Sequence, residues 1–367
     1  LSFDFDQRAE YLAEYGLSEE EIVKLKDSLL RLTDAILLGE KAPIGQQLSM
    51  IRLLSSKREK VLSAETAISY MPKKIFWLIR DCVSYGTIPF SILARYAFIS
   101  MAFLKSLKNR GVFSGEEYNS FLNGIPTIAT EVSRDFARLA NKELSENDFI
   151  KIYGHLRPGT YDILSPNYKS SLHGFLTDPG MLQHSCSEAS GRQADTETPL
   201  RIFNEKKEAI EEMLLELGFK CDAQRLFDFI VHSIPAREWG KFEFTKNVNE
   251  VLEIIVEYCD NLGLSREDAS YLSIERILRL ATDSASDALP GYFKRICGFE
   301  SKRHLLATAM RLPHLIWEVD DIDGFKLLEC HPNFITNQHV IAEVVDLEQT
   351  PAPYALHGRI ALIRNAD

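Results

Sequence analysis

The sequence predicts a mainly α protein, a multi-helix assembly with a short β-rich piece at its C-terminal end. Capping boxes stand directly before apolar stripes with helical spacing, and β-branched runs separated by Pro and Gly follow residue 315. The 367 residues are 45% hydrophobic and 26% charged, which is typical of a soluble globular chain that buries a large core.

The first helices are indicated by their start signals. Ser18 and Glu21 form a capping box before an apolar stripe that ends near Gly39 and consists of Ile22, Leu25, Leu29, Leu32 and Ile36. Two further helices are predicted over about 47–63 and 71–84. Thr87 and Pro89 then suit the cap and the first turn of a helix that runs through Lys108.

The following helices lead into a tyrosine-rich segment. Ser114 and Glu117 repeat the capping box, a helix is predicted over 127–139, and a short one follows Ser145. Residues 1–175 are therefore predicted as one helical region that carries this segment.

Residues 176–198 lose helical periodicity and fill with Ser, Asp, Gly and Thr, which predicts an exposed or mobile loop. Residues 199–314 then form a second helical region. Its first element is predicted as an amphipathic helix over Pro199–Leu217, closed by Gly218.

The second helical region continues with one long helix or two over Asp222–Tyr258, kinked at Pro235. Ser265 with Asp268 starts another helix, and Ser301 starts one more.

Residues 315–367 are predicted as the start of a truncated β-rich domain. The expected strands are Phe334–Thr336, Val340–Val345 and Arg359–Ile363. The aspartates of Val319–Gly324 resemble a calcium loop, but aligning the glycine puts Val319 and Cys330 at ligand positions that need oxygen donors. A solvated turn before a strand explains this run better, and no metal site is predicted.

Composition excludes several classes of function. A net charge of -11 argues against a non-specific nucleic-acid binder. No membrane span is expected, because Arg95 and Lys105 interrupt the apolar run at 88–107, and the acidic start of the chain lacks the apolar segment of a secretory signal. Six scattered cysteines without a C-x-x-C pair indicate reduced thiols and a cytoplasmic location.

The most specific segment is Tyr153–Tyr168, which reads YGHLRPGTYDILSPNY. His155, Arg157 and Asp162 fall within eight residues among turn formers, so their donors and acceptors can converge on one small volume. Asp162 either orients an amide or hydroxyl of a ligand or fixes the loop. His155 is either a structural hydrogen-bonding residue or a proton carrier.

A second pattern is the pair Arg237 and Lys241, which share a face at helical spacing. Two cations held together point to an anion or an acidic partner, and the alternative is a solvated surface stripe. Arg95, on a largely apolar helix, is a further candidate because it needs a carboxylate or a ligand if it is buried. Self-contained catalytic motifs such as a phosphate loop or a nucleophile elbow are missing from the sequence.

These stretches together resemble the central region of phosphoenolpyruvate-utilising phosphotransferases over nearly the whole chain. Gly154–Asp162, GHLRPGTYD, is similar to the form found in glutamine kinase-like members and, less closely, in rifampicin phosphotransferases. The stretch Arg237–Lys241 resembles the helix beside the phosphoryl-transfer centre of those proteins. Three further stretches agree with the same family: Tyr85–Phe90 with Ala94 and Arg95, Pro332–Thr336, and Gly358–Asp367.

The resemblance implies a division of labour among domains. In this family an ATP-grasp domain phosphorylates a histidine on a swivelling domain, which carries the phosphoryl group to a bound acceptor. The chain is expected to be the acceptor-binding and linker part, with neither the ATP-grasp domain nor the carrier histidine. ATP and Mg are then expected for the intact enzyme, no cofactor for this part, and the isolated chain should show no ATPase or kinase activity.

The resemblance also assigns roles to residues. Arg237 and Lys241 would be catalytic, since a guanidinium fork and an ammonium can stabilise charge on the transferring phosphoryl group. Arg157, His155, Asp162 and Arg95 would bind the acceptor, with Arg157 orienting a carboxylate. Leu156 and Thr160 depart from the arginine and glutamate of the rifampicin type, which leaves the acceptor open between a glutamine-like amide and related metabolites.

Two functions follow from different classes: this acceptor-binding role, or a non-catalytic helical binding or scaffold module derived from the same family. For the first, we expect the Tyr153–Tyr168 segment to be a non-helical loop that faces the Arg237 helix, so that Arg157 and Arg237 share a site.

Overall fold

The computed structural model describes residues 1–64, 67–177, 197–279 and 289–308, with short pieces at 315–316, 318–319, 341–346 and 359–362. The described chain is mainly helical, which confirms the predicted fold class. Its helices are α1 Phe5–Glu14, α2 Glu19–Leu37, α3 Ile44–Leu62, α4 Met71–Cys82, α5 Ile88–Asn109, α6 Gly115–Gly124, α7 Ile128–Ala140, α8 Glu146–Tyr153, α9 Tyr168–Thr177, α10 Thr198–Glu205, α11 Lys207–Leu217, α12 Ala223–Asn261, α13 Arg266–Ser270, α14 Ile274–Arg279 and α15 Leu289–Thr308.

The capping boxes predicted from sequence are formed. At the start of α2 the Ser18 hydroxyl accepts the Glu21 amide, and the Glu21 carboxylate accepts the Ser18 amide at 2.9 Å. The same reciprocal pair opens α6 at Ser114 and α13 at Ser265. These caps satisfy amides that no helical carbonyl can reach, which explains why the boundaries are readable from short stretches of sequence.

Thr87 does not cap a new helix, contrary to the prediction. It has helical dihedral angles, and one continuous helical run extends over Ile68–Asn109, with a π turn at Val83–Thr87 joining α4 to α5. Pro89 lacks an amide proton to donate to the carbonyl of residue 85, so the wider π turn accommodates it without ending the helix.

Two other predicted boundaries are wrong. The single helix expected over Pro199–Leu217 is divided at Lys206, whose φ of −110° and ψ of 4° leave the helical region. The break lets α10 pack on α6 while α11 packs on α12. Ser301 lies inside α15 and donates to the Gly298 carbonyl at 3.4 Å, so it does not start a helix.

The 39-residue helix α12 forms the axis of the molecule. It contacts α3, α4 and α5 and remains helical through Pro235, as the one-helix alternative expected. Gly240 allows close approach here, because a Cβ at this position would lie 3.2 Å from the Ile51 side chain. Helices α5 and α12 are antiparallel, as the buried hydroxyl pair Ser100–Ser233 at 2.7 Å and the ring pair Phe90–Phe244 at 5.1 Å show.

The main hydrophobic core unites the two predicted helical regions. It combines buried side chains from both sides of the 176–198 segment, among them Phe103, Phe113, Phe121, Phe203, Phe219 and Phe227. A second cluster joins α4 and α12 to α13, α14 and α15. Residues 178–196, most of the predicted mobile loop, lie outside the described residues.

The run Ile68–Asn109 is long and apolar enough to cross a membrane by length and composition, which is weak evidence for a single helix. Its α5 part instead packs against α3 and α12 and buries Leu93, Phe103 and Leu107 completely.

Two short strands, β1 Val344–Asp346 and β2 Ile360–Leu362, pair in parallel with Val344 opposite Ile360. They overlap two of the three segments expected to be strands, and β1 extends one residue beyond its segment, to Asp346. The third, Phe334–Thr336, and residues 320–324 of the run compared with a calcium loop lie outside the described residues. The β-rich domain as a whole therefore stays a prediction.

Candidate functional site

The GHLRPGTYD segment forms the loop between α8 and α9, as predicted. Its ends are pinned together, because the Tyr168 amide donates to the Leu156 carbonyl at 2.9 Å and the Lys169 amide donates to the Gly154 carbonyl at 3.0 Å. Close packing at Gly159, where a Cβ would lie 3.0 Å from the Asp162 side chain, fixes its centre. The segment is therefore a fixed loop on the protein surface.

Arg157 ties this loop to α12. Its guanidinium is buried, and Nη1 donates to the carbonyls of Asp162 and Ser165 at 3.3 and 3.1 Å. Nη2 donates to Asn249 Oδ1 at 2.6 Å and to Glu253 Oε1 at 2.9 Å. Its Nε is buried and has no hydrogen-bond partner among the residues that the structure describes.

Further polar groups complete what we call the Arg157 cluster: Arg157, Asn167, Asn249, Glu253 and Arg266. Asn167 Nδ2 donates to Asn249 Oδ1 at 2.9 Å and lies 3.4 Å from Glu253 Oε1. Arg266, from α13, donates to Glu253 Oε2 at 2.6 Å. One carboxylate thus receives donors from two arginines and one amide.

His155 is held on the other side of the loop. Its Nε2 lies 3.2 Å from the Phe242 carbonyl, to which it donates, and its ring packs edge-on against the Phe242 ring. Burial, together with the nearby charge of Lys246, lowers the pKa of His155 to about 3. The imidazole is therefore neutral at physiological pH, which favours the structural hydrogen-bonding interpretation.

Asp162 fixes the loop in this conformation. Its carboxylate accepts the Leu164 amide at 2.8 Å, and its side chain is otherwise exposed. Of the two roles left open by the sequence, the structure shows the turn-closing one, and the side chain as a whole is exposed.

The predicted catalytic pair lies elsewhere on α12. The Arg237 guanidinium stacks 5.4 Å above the Phe98 ring on α5 and pairs with Glu238 at 3.0 Å. Lys241 is exposed one turn further along. Arg95 is also exposed, and its guanidinium donates to the Ser91 carbonyl at 3.0 Å.

Arg95, Phe98, Arg237 and Lys241 form one surface, here called the cationic face. Arg95 precedes Phe98 by three residues and Lys241 follows Arg237 by four. Because α5 and α12 are antiparallel, Arg95 and Lys241 both lie on the same side of the contact between Arg237 and Phe98 along the helix axes. Three of the predicted site residues therefore lie on one exposed face.

The structure does not bring Arg157 and Arg237 together. Arg157 binds α12 at Asn249, twelve residues after Arg237, which is about 18 Å along the axis at 1.5 Å per residue. Twelve residues at 3.6 per turn also rotate the position by roughly 120°. The expected shared site is therefore wrong in its geometry, although the loop does face the same helix.

Sequence reasoning missed the partners of Arg157 on α12, and it missed Arg266 on α13, which pairs with Glu253. Asn249 and Glu253 are one helical turn apart and resemble an ordinary polar face. A usable signal was the length of α12, because a central helix that is packed on most sides must bury some polar residues. Asn247 is another buried polar residue of α12, and its Oδ1 accepts from the buried Arg58 of α3 at 2.8 Å.

Chemically, the Arg157 cluster can hold an oxyanion, and the cationic face can attract one. Within the described residues, no group of three or more His, Cys, Asp or Glu side chains is placed to hold a metal ion. Comparisons with protein-family models, with curated proteins and with solved structures find no match to this chain.

Proposed function

We propose that this chain is the acceptor-binding and linker part of an ATP-dependent phosphotransferase of the phosphoenolpyruvate synthase-like family. The acceptor is a small metabolite, such as a glutamine-like amide, bound at the GHLRPGTYD loop. The observation that carries the proposal is that this segment, on which the family resemblance rests, is a fixed loop clamped to the central helix by a buried arginine.

The cationic face supplies the place where the phosphoryl group arrives in this proposal. Arg95, Arg237 and Lys241 are accessible there, and cations near a transferring phosphoryl group stabilise its charge. Because the cationic face and Arg157 are separated, transfer then requires either an acceptor long enough to reach both or a conformational change between acceptor binding and phosphoryl transfer. ATP, Mg and the phosphohistidine belong to other domains in this proposal, and the protein acts in the cytoplasm.

The test is acceptor-dependent ATP consumption by the whole protein with Arg237→Ala or Lys241→Met. Loss of a preorganised charge costs about 10²- to 10³-fold in turnover. Neither residue is part of the core, so the melting temperature should be nearly unchanged. Wild-type turnover in both variants would show that the pair is a solvated surface stripe.

The second candidate is a non-catalytic binding or scaffold module. The buried side-chain donors of the Arg157 cluster, Nε of Arg157 excepted, have partners within the described protein, as in a purely structural network. This function predicts that glutamine and related amides leave the melting temperature of the chain unchanged. The acceptor-binding function predicts instead that such an amide, at 100 times its Kd, raises the free energy of unfolding by about 2.7 kcal/mol.

A further inference from the structure

The Arg157 cluster has the composition of an anion site that already contains an anion. Glu253 Oε1 receives Arg157 Nη2 at 2.9 Å and lies 3.4 Å from Asn167 Nδ2, while Oε2 receives Arg266 at 2.6 Å. Donors from the loop, the start of α9 and α13 thus converge on one carboxylate of α12. Such charge-assisted forks recognise carboxylates and phosphates in general.

The cluster is not balanced in charge. Two guanidinium groups face one carboxylate, which leaves a net charge of about +1 where Arg157 is almost completely buried. Arg157 Nε is also buried without a described partner. A ligand with both a second negative charge and an additional acceptor would relieve both deficits, which the single carboxylate of Glu253 cannot do.

Glu253 has a way out of this position. Its side chain is 36% exposed and that of Arg266 is 31% exposed, whereas the Arg157 side chain is only 2% exposed. A rotation of Glu253 toward solvent would therefore open the side of the cluster that Arg266 covers. Asn249 and two backbone carbonyls would still hold Arg157 in place.

We propose that the Arg157 cluster is an oxyanion-binding site in which Glu253 occupies the place of the ligand. The phosphate group, or one of two carboxylates, of a dianionic small metabolite replaces Glu253 and binds Arg157, Asn167 and Arg266. This inference rests on the proposed acceptor-binding role of the loop. It adds Arg266 as a binding residue and Glu253 as an internal competitor, and it makes the ligand an anion.

Titration calorimetry with the full chain tests the site, with inorganic phosphate and glutarate as probes at constant ionic strength. Glu253→Gln removes the competing charge, so the affinity for at least one probe should rise about tenfold or more. Glu250→Gln is the matched control, because it removes an acid from the same helix that makes no ion pair within the described chain. Adding Arg266→Gln to Glu253→Gln should abolish the gain.

Equal affinities in Glu253→Gln and Glu250→Gln would overturn the proposal, as would an unchanged gain after Arg266→Gln. The two probes distinguish a phosphate ligand from a carboxylate. If Glu253→Gln does not fold, wild type and Arg266→Gln are compared by melting temperature. The probe should then stabilise wild type beyond equal ionic strength of sodium chloride and should not stabilise Arg266→Gln, and any other result overturns the site.

Failure of this inference can be separated from failure of the proposed function. Probe binding without acceptor-dependent ATP consumption by the whole protein would support the oxyanion site and refute the phosphotransferase function. Acceptor-dependent ATP consumption without any probe binding at the Arg157 cluster would refute only the oxyanion site.

Discussion

At the scale of single residues, His155 shows how burial selects a protonation state. An exposed histidine has a pKa near 6.5, whereas His155 is surrounded by the Phe242 ring, its carbonyl and the nearby Lys246 charge, and its pKa falls to about 3. A second proton would give this ring a positive charge, which burial keeps from water and which the nearby Lys246 charge repels. The site therefore holds a neutral hydrogen-bond donor.

This shift predicts a pH dependence of stability. The folded pKa is lower than the unfolded one, so below pH 6.5 the unfolded chain takes up a proton that the folded chain refuses. The contribution of His155 is complete above pH 6.5 and is lost as the pH falls toward 3, with a limiting slope of about 1.4 kcal/mol per pH unit. Urea unfolding of wild type between pH 7 and 4 measures this slope.

Carboxylates also titrate in this range, so the comparison needs a variant. His155→Gln keeps a donor for the Phe242 carbonyl and does not titrate. Its stability should fall less steeply than that of wild type as the pH decreases from 6.5. Parallel curves for the two proteins would contradict the lowered pKa.

The residues of the candidate site were predictable to different degrees. His155, Arg157 and Asp162 stand out because they are crowded into one segment with turn formers. Asn249 and Glu253 lie 92 and 96 residues away from Arg157, and only the fold brings them together. Pairing at this distance depends on how helices pack, which no local pattern records.

At the scale of elements, the π turn brings Gly86 against α12 and α3. A Cβ at residue 86 would lie 2.8 Å from the Phe244 Cβ and 3.0 Å from Leu54 Cδ2. Both neighbours are buried, so neither can move away freely. We therefore expect Gly86→Ala to destabilise the protein by about 1–3 kcal/mol, measured by urea unfolding.

Gly298→Ala is the matched control for this substitution. Gly298 lies within α15, and a Cβ there would meet nothing within 4 Å. Alanine should stabilise this position by about 0.5–1 kcal/mol through its helix propensity. If Gly86→Ala were equally stabilising, the close packing of the π turn against α12 would be refuted.

Helix starts were predictable where the signal is local, and missed where packing decides. Ser18, Ser114 and Ser265 cap their own helices through residues three positions away. Thr87 lacks the acid three positions later, since Phe90 stands there, and α4 and α5 continue into each other because both pack along α12. The break at Lys206 is likewise set by packing, because α10 packs on α6 and α11 packs on α12.

At the scale of the whole molecule, the core predicts that the two helical regions depend on each other. Phe203 packs against Phe227 at 5.0 Å and against Phe121 at 6.5 Å, and so joins α10 to α12 and to α6. Fragments 1–177 and 197–367 should therefore co-purify when they are expressed together. Each alone should lack a cooperative thermal transition, because it exposes half of the core.

Two aspartate substitutions make this test specific. Phe203→Asp buries a charge in the shared core and should abolish co-purification of the fragments. Leu215→Asp, at a position that is 68% exposed on α11, should leave it intact. Independent folding of both fragments without association would show that the two regions are separate domains.

The π turn at Val83–Thr87 also has an evolutionary consequence. A π turn is an α-helix with one residue inserted, and its wider turn absorbs that residue, so the later side chains keep nearly the direction of an uninterrupted α-helix. Loss of one residue within the π turn would therefore leave Leu93 and Ala97, which are buried in α5, facing their present partners, whereas loss of a residue within α5 itself would rotate the side chains after it by roughly 100°. A homologous sequence aligned to this chain should therefore carry any one-residue gap of this helical run within 83–87 and none in 88–107, even where the identities of its residues have diverged.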